Sequence, residues 1–134
     1  MPSIDAIVGI PHPAATKLRR ARVRTTDALL KRAAAAADRA TLAEETGVDA
    51  DDLLVWCRRA EMLTVKGVGA EYAHLLSEVG VKDVDTLAGQ KPADLLVSLG
   101  VANDRKRYVR RLPTRPMVDE WVSGAKKAPR VVEV

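Results

Sequence analysis

The chain has 134 residues, which suffices for one domain, or for two small fused units, with a modest core. Only 3% of the residues are aromatic, so there is no row of rings on which the bases of single-stranded nucleic acid could stack. A net charge of +4 favours a polyanionic partner. The single cysteine, Cys57, excludes an intrachain disulfide and a multi-cysteine metal site.

The first half of the chain is predicted to form short helices joined by turns, because apolar residues recur at helical spacing between capping residues. In order we predict a lead over 1–8, a turn at Gly9-Ile10-Pro11, and helices over 14–21, 25–37, 38–46 and 50–63. Thr25 or Thr26 is expected to cap the second helix, Asp38 the third and Asp49 the fourth. The alanines of 33–37 are expected to continue the second helix, since alanine is the strongest helix former.

The second half is predicted to continue the same pattern. In order we predict a turn at 64–69, a helix over 72–79, a short turn over 84–88 that Asp83 caps, helices over 92–99, 104–112 and 115–127, and a tail over 128–134. Gly80 is expected to end the helix over 72–79, and Gly100 the helix over 92–99. Asn103 is expected to cap a basic helix, and Thr114 with Pro116 to start the last one. The tail is expected to be disordered or to add to a partner.

No segment alternates apolar and polar residues over the length of a strand, so the predicted fold class is all-α. No apolar run approaches the ~20 residues of a membrane span. The N-terminus also lacks the basic and then apolar pattern of a signal peptide. We therefore expect a cytoplasmic protein that does not contact a membrane.

The most informative stretch is the turn Lys66-Gly67-Val68-Gly69, which precedes the helix predicted over 72–79. Glycine adopts backbone conformations that other residues avoid, and it leaves neighbouring amides uncovered by side chains. Unpaired amides at the N-terminus of a helix attract phosphate. This turn is therefore a candidate phosphate site.

The chain also matches itself at an offset of about sixty residues, which indicates two diverged copies of one unit. The offset aligns, without a gap, Gly9 with Gly67, Ile10 with Val68, Ala15 with Ala73, Leu18 with Leu76, Val23 with Val81, Asp27 with Asp85 and Leu29 with Leu87. The N-terminal turn departs from the pattern at Pro11, which stands in the position of Gly69. Proline has no amide donor, so a phosphate contact at Gly9 and Ile10 is open to question.

The paired glycine turns, the helix between them and the ending Val109-Arg110-Arg111-Leu112-Pro113 with Trp121 resemble a bacterial and archaeal family of helix-hairpin-helix-like domains of unknown function. In helix-hairpin-helix motifs, hairpin amides hold a DNA phosphate without reading sequence. The resemblance implies two related helix-hairpin-helix-like units that form one compact helical domain, and it implies no established activity. The predicted units are 1–63, which includes a central linking helix, and 64–127, followed by the tail at 128–134.

Basic residues are concentrated in two regions that flank an acidic middle at 44–52. In addition to Lys66 and the two glycine turns, the candidate DNA contacts are Lys17, Arg19, Arg20, Arg22, Arg24, Arg105, Arg107 and Arg110. Together these regions could form one face for a phosphate backbone. The alternative is that they are solvated helix faces paired with acids elsewhere.

The sequence offers no convincing catalytic or metal site. His12 and His74 have no partners at ligand spacing, and no pair of carboxylates stands out as an acid and a base. Cys57 lies on the apolar face of its predicted helix, with no local base to activate it. We expect neither an enzymatic activity nor a cofactor.

Two functions fit these features. One is a non-enzymatic, sequence-independent DNA-binding module, in which the amides of Gly67, Val68 and Gly69 hold a phosphate of double-stranded DNA and Lys66 adds charge. Glu71 counts against it, because its negative charge lies where a phosphate would approach. The other is a protein-protein interaction or scaffold module, whose charged zones dock a protein partner or a second copy. Basic clusters that share one face with Lys66 would favour DNA, and interleaved acids would favour protein.

Overall fold

The computed structural model describes residues 2–134, which form eight α-helices and a short 3-10 helix, Ile4–Ala6. The α-helices are α1 His12–Arg20, α2 Thr26–Ala33, α3 Ala36–Thr46, α4 Ala50–Met62, α5 Ala70–Glu78, α6 Val84–Ala88, α7 Pro92–Arg105 and α8 Arg115–Lys127. The only strand-like pairing in this part of the chain is an isolated antiparallel bridge between Ser3 and Thr25. The all-α prediction is confirmed.

The chain divides into two compact units. The first unit comprises residues 2–61 together with 130–134, and the second unit comprises residues 62–129. None of the helices found in residues 2–134 is both long enough and apolar enough to cross a bilayer.

The helices of the first unit begin and end at residues whose local chemistry suits those positions. The Thr25 hydroxyl caps α2 by accepting a hydrogen bond from the amide of Ala28 at 3.1 Å. The Asp49 carboxylate accepts one from the amide of Asp51 at 2.7 Å, at the start of α4. Gly47 ends α3 with a φ of 76°, in the left-handed region that favours glycine. These predicted helix ends are confirmed.

The alanine run does not continue α2 as predicted, and this part of the prediction is wrong. Helix α2 ends at Ala33 and α3 begins at Ala36, so the break comes before Asp38. The buried side chain of Arg39 donates hydrogen bonds to the carbonyls of Ala33 and Ala34, each at 3.0 Å. Because these bonds satisfy carbonyls at the end of α2, the chain can turn here without leaving them unpaired.

The C-terminal segment, residues 130–134, belongs to the first unit and is not a free tail. The amides of Val131 and Val132 donate to Oε2 of Glu61 at 2.8 and 3.2 Å. The amide of Glu133 donates to the carbonyl of Ala34 at 2.8 Å. The segment therefore helps to hold the break between α2 and α3.

In the second unit, one face of α8 is fully enclosed. Its buried residues are Val118, Trp121, Val122 and Ala125, at the helical spacing that the sequence predicts. The Asp83 carboxylate caps α6 by accepting from the amide of Thr86 at 2.7 Å. The Thr114 hydroxyl caps α8 by accepting from the amide of Met117 at 3.3 Å. The predicted caps at Asp83 and Thr114 are confirmed, although residues 84–88 form a short helix where the sequence predicts a turn.

The predicted basic helix after Gly100 is wrong. Helix α7 passes through Gly100 and ends at Arg105, and residues 106–114 form a loop, here called the arginine loop. Asn103 lies inside α7, and its Oδ1 accepts hydrogen bonds from the amides of Tyr108 and Val109 at 2.8 and 3.1 Å. A side chain that bonds backbone amides beyond its helix competes with further helical bonds, so the loop replaces a helix.

Candidate functional site

The central glycine turn, residues 66–69, is anchored to the second unit by its own Val68 and by Val65, which precedes it. The amide of Val65 donates to the carbonyl of Met62 at 3.2 Å, and the amide of Val68 donates to the carbonyl of Val65 at 3.1 Å. Gly67 has a φ of 87°, which side chains disfavour. Both valine side chains are buried, whereas Gly67 and Gly69 are exposed. The turn therefore presents glycine backbone to solvent from a fixed base.

The central glycine turn leaves several amides available at the start of α5. Ala73 is the first residue whose amide bonds back along the helix, to the carbonyl of Gly69 at 2.8 Å, so the amides of 70–72 have no partner within it. The amides of Gly67 and Gly69 also donate to no acceptor within the described chain. The amide of Val68 is already bonded, which corrects the expectation that it would hold a phosphate.

These amides border a surface depression of about 560 Å³. The depression is lined by Gly67, Gly69, Ala70, Glu71, Tyr72, Val109, Arg110 and Arg111. Arg110 and Arg111 are exposed and come from the arginine loop. Two guanidinium groups thus border the same opening as the available amides, and Glu71 adds one negative charge there.

The arginine loop is held in position next to α5. Besides the bonds from Asn103, the hydroxyl of Tyr72 donates to the carbonyl of Arg111 at 3.2 Å. The Tyr72 ring packs against the buried ring of Trp121, with centroids 5.1 Å apart. The backbone at the arginines is therefore fixed to enclosed parts of the second unit, while their side chains remain exposed.

Lys66 lies at a different surface. It lines a separate depression of about 430 Å³ together with Asp119 and Glu120 of α8. Lys127 lines it too, so two acids balance two lysines there, and Lys66 does not line the opening at Gly67 and Gly69.

The other predicted arginines of the second unit lie at the end of α7 and in the loop that follows. Arg105 is the last residue of α7, and the side chain of Arg107 donates to the carbonyl of Arg110 at 3.5 Å. Of these three arginines, only Arg110 lines the depression at the central glycine turn.

The N-terminal glycine turn, residues 9–11, has a similar backbone, but a side chain of its own unit occupies the space beside it. Gly9 has a φ of 80°, and the amide of Ile10 donates to the carbonyl of Ile7 at 3.3 Å. The guanidinium of Arg59 donates to the carbonyl of Val8 and lies directly against Gly9. A β-carbon at Gly9 would come within 2.5 Å of Nη1 of Arg59. An arginine of α4 thus occupies the space beside this turn.

Prolines further reduce the donors of the N-terminal turn. Pro11 is the N-cap of α1, and Pro13 is its second residue. Neither residue has an amide hydrogen. The start of α1 therefore offers fewer donors to an anion than the start of α5.

The basic residues of the first unit are interleaved with acids. Arg19 forms an ion pair with Asp5. Lys17 and Arg20 line a depression of about 290 Å³ that Glu45 also lines. Exposed ion pairs of this kind add little stability, but they reduce the positive potential of the surface.

Arg22 and Arg24 lie in the link between α1 and α2. Arg22 has a φ of 67°, which is unusual for a residue other than glycine, and its amide donates to the carbonyl of Arg19 at 2.9 Å. The carbonyl of Arg24 accepts from the amide of Ile4 at 3.1 Å. Both side chains are exposed, so the backbone of these residues builds the link while their charges face solvent.

Cys57 and His74 are engaged in packing. Burial raises the pKa of the Cys57 thiol to about 12, and nearby Arg39 lowers it by less. The ring of His74 packs edge-on against Tyr108, with centroids 4.9 Å apart. Within residues 2–134, no three His, Cys, Asp or Glu side chains lie close enough together to hold a metal ion.

Residues 8–128 match a family described as a domain of unknown function, DUF4332. The chain belongs to the DUF4332 family. No curated protein and no solved structure matches it.

Two features of this DUF4332 domain lie outside the sequence predictions. Arg59 reaches the carbonyl of Val8, which lies 51 residues earlier, and no local pattern indicates such a contact. Tyr72 is predicted only as part of the apolar face of α5, but it is half-buried and also bonds the arginine loop. A tyrosine at the edge of an apolar face is a usable signal, because its hydroxyl needs a polar partner.

Proposed function

We propose that this DUF4332 domain is a non-enzymatic, sequence-independent DNA-binding module that holds a backbone phosphate at the central glycine turn. The observation that carries the proposal is the opening shared by the amides at the start of α5 and by Arg110 and Arg111. The N-terminus of a helix carries partial positive charge and presents N–H groups, so it attracts phosphate. Such contacts touch no base edge, so binding would not depend on sequence.

The charges at the opening favour an anion. Two arginines against one glutamate leave a net charge of +1 among its lining residues. A guanidinium group can donate two parallel hydrogen bonds to a phosphate, which a lysine cannot do. Glu71 is exposed and lies in the first turn of α5, where an acid stabilises the helix dipole and solvent screens its charge.

We further propose that the two units are diverged copies of one helix-hairpin-helix-like element. Backbone hydrogen bonds at matching positions support this. Each of three amide-to-carbonyl bonds in the first unit has a counterpart 58 residues later in the second unit. The matching pairs are Ile7 to Ile4 with Val65 to Met62, Ala15 to Pro11 with Ala73 to Gly69, and Val23 to Leu18 with Val81 to Leu76. Helices α4 and α8 also have 13 residues each, with Trp56 and Trp121 as the seventh residue.

The two copies would then differ in function. Arg59 occupies the space beside the N-terminal turn, which contains Pro11 and is followed by Pro13, whereas the central turn opens onto the arginine loop. We therefore expect one main phosphate-binding turn per chain, with the exposed cations of the first unit adding at most secondary contacts.

Fluorescence anisotropy of a labelled duplex tests the proposal. The full chain is compared with the double variant Arg110→Glu, Arg111→Glu and with a control of equal charge change, Lys17→Glu, Arg20→Glu. We expect the arginine-loop variant to weaken binding at low salt by about tenfold or more, and to reduce the slope of log affinity against log salt by about 2. We expect the control to lose less affinity, since its residues lie beside Glu45.

Two results would contradict the proposal. If both variants lost the same affinity, binding would reflect net charge and not the site at the central turn. If the folded wild-type chain did not bind the duplex at low salt, DNA would not be its partner.

The second candidate function is a protein-protein interaction or scaffold module. The interleaved acids favour it, namely Asp119 and Glu120 beside Lys66 and Asp5 paired with Arg19. Mixed charges of this kind suit a protein surface better than a uniformly negative duplex. Absence of duplex binding, combined with salt-sensitive capture of a protein by the wild-type chain but not by Lys66→Glu, would support this function over DNA binding.

A further inference from the structure

The segment 130–134 is recognised by the first unit through its backbone and through one carboxylate. Three consecutive amides donate, those of Val131 and Val132 to Glu61 and that of Glu133 to the carbonyl of Ala34. The Glu133 carboxylate accepts from the amide of Ala36 at 3.1 Å. The first unit thus accepts hydrogen bonds from the backbone of three successive residues of the segment.

Two groups of the first unit gain hydrogen bonds from the segment, namely the Glu61 carboxylate and the start of α3. Glu61 is only 6% exposed, and a buried carboxylate is costly unless donors surround it. Helix α3 has Ala35 at its N-cap and no hydrogen bond from a capping side chain. The Glu133 carboxylate therefore does for α3 what a capping residue does for other helices, although it lies 97 residues away in sequence.

The two valine side chains of the segment add apolar contacts to the first unit, but they leave part of the surface beside them open. Val132 packs against the core of the first unit. Val131 is half exposed and lines a depression of about 580 Å³ together with Ala28, Leu30 and Ala34. The seat of the segment is therefore shallow and partly open beside Val131.

We infer that the first unit carries a peptide-binding site for two apolar residues followed by a glutamate, which this chain fills with its own segment 130–134. When that segment is released, the site takes the same segment from a second copy of the chain. The inference does not depend on DNA binding, since none of its contacts involves the central glycine turn.

The short link between α8 and the segment determines whether the site binds the segment of its own chain or that of a second copy. Only residues 128–129, including Pro129, separate the segment from the end of α8. A short tether gives the segment an effective concentration of the order of millimolar, so it outcompetes a free copy in dilute solution. Exchange of such a segment between identical chains needs no new contacts, because each site receives the same residues.

A peptide of residues 128–134 tests the site. The receptor is the full chain with Val132→Asp and Glu133→Lys, whose own segment cannot dock, and the wild-type chain serves as the filled control. We expect the labelled peptide to bind the variant at least about tenfold more tightly than the wild type. A peptide with Glu133→Gln should bind more weakly than the natural one, by about threefold or more, because a charge-assisted bond to α3 is lost. Failure of the folded variant to bind the natural peptide, or equal binding by variant and wild type, would overturn the inference.

Hydrogen exchange in the otherwise unchanged chain gives a second test, which does not require the segment to detach. Glu133→Ala should speed exchange of the Ala36 amide by about tenfold or more, because this amide loses its acceptor. Glu120→Ala, which removes an exposed glutamate from α8, is the matched control and should leave that rate unchanged. Equal rates in both variants would show that the segment does not dock as described.

Discussion

Gly67 at the central glycine turn offers a sharp test of the geometry. Its φ of 87° costs an alanine about 1–2 kcal/mol. A β-carbon there would also come within 3.0 Å of Nε1 of Trp121, which is 1% exposed and has little room to move. Such overpacking costs about 1–3 kcal/mol. We therefore expect Gly67→Ala to lower the free energy of unfolding of the second unit by about 2–5 kcal/mol in total.

The matched control lies two residues further on. Gly69 has a φ of −89°, and a β-carbon there meets nothing within 4 Å. Gly69→Ala should cost less than about 1 kcal/mol, since only the preference for glycine over alanine at an N-cap is lost. Urea unfolding followed by circular dichroism measures both variants. Equal stability of Gly67→Ala and Gly69→Ala would refute the assigned turn conformation and its contact with Trp121.

Three further perturbations probe other parts of the chain. Asp83→Ala removes the cap of α6 and should destabilise the second unit by about 1 kcal/mol in urea unfolding; no change would argue against this cap. Asn103→Ala removes the bonds that hold the arginine loop and should cost about 1–3 kcal/mol. It should also weaken duplex binding, which anisotropy would detect, and a fully stable variant would contradict the role of Asn103. The Cys57 thiol has a pKa raised from 9.0 to about 12, so its unfolded form releases the proton first as pH rises. The contribution of this thiol to the free energy of unfolding should be complete below pH 9 and should fall between pH 9 and 12. At pH 8, a thiol reagent should label Cys57 only after the chain unfolds. Rapid labelling of the native chain would contradict the burial of Cys57.

The sequence predicts those elements that depend on neighbouring residues. Thr25, Asp49, Asp83 and Thr114 start helices because each side chain bonds an amide two or three residues ahead, so the signal is local. Gly47 marks a helix end for the same reason. The buried faces of α4 and α8 follow from helical spacing of their apolar residues.

The wrong predictions depend on contacts with distant residues. The alanine run has no local reason to stop at Ala33, and its break is held by Arg39, by the Cys57 thiol and by Glu133. The arginine loop follows α7 because Asn103 bonds amides beyond the helix, where sequence alone favours a cap at a helix start. Tertiary contacts override helix propensity in both places.

The candidate site also has a part that the sequence predicts and a part that depends on distant contacts. The glycines of the central turn are visible in sequence because their type and spacing are unusual, whereas the place of Arg110 beside them depends on the path of the arginine loop. Lys66 is adjacent to Gly67 in sequence but lies with the acids of α8. Charge near a turn in sequence is therefore a poor guide to charge near it in space.

A comparison of the two glycine turns shows that backbone conformation alone does not make an anion site. Gly9 and Gly67 have nearly the same φ, and each turn carries the same pattern of internal hydrogen bonds. The difference lies in what each turn meets, because Arg59 fills the first from within while the second faces solvent. At the N-terminal turn, the carbonyl of Val8 accepts a hydrogen bond from Arg59 of the same unit. At the central turn, the amides of Gly67 and Gly69 are exposed, so water can bond them until a ligand takes its place. Donors that bond only water remain available to a ligand, which is the physical reason to look for an anion at the central turn.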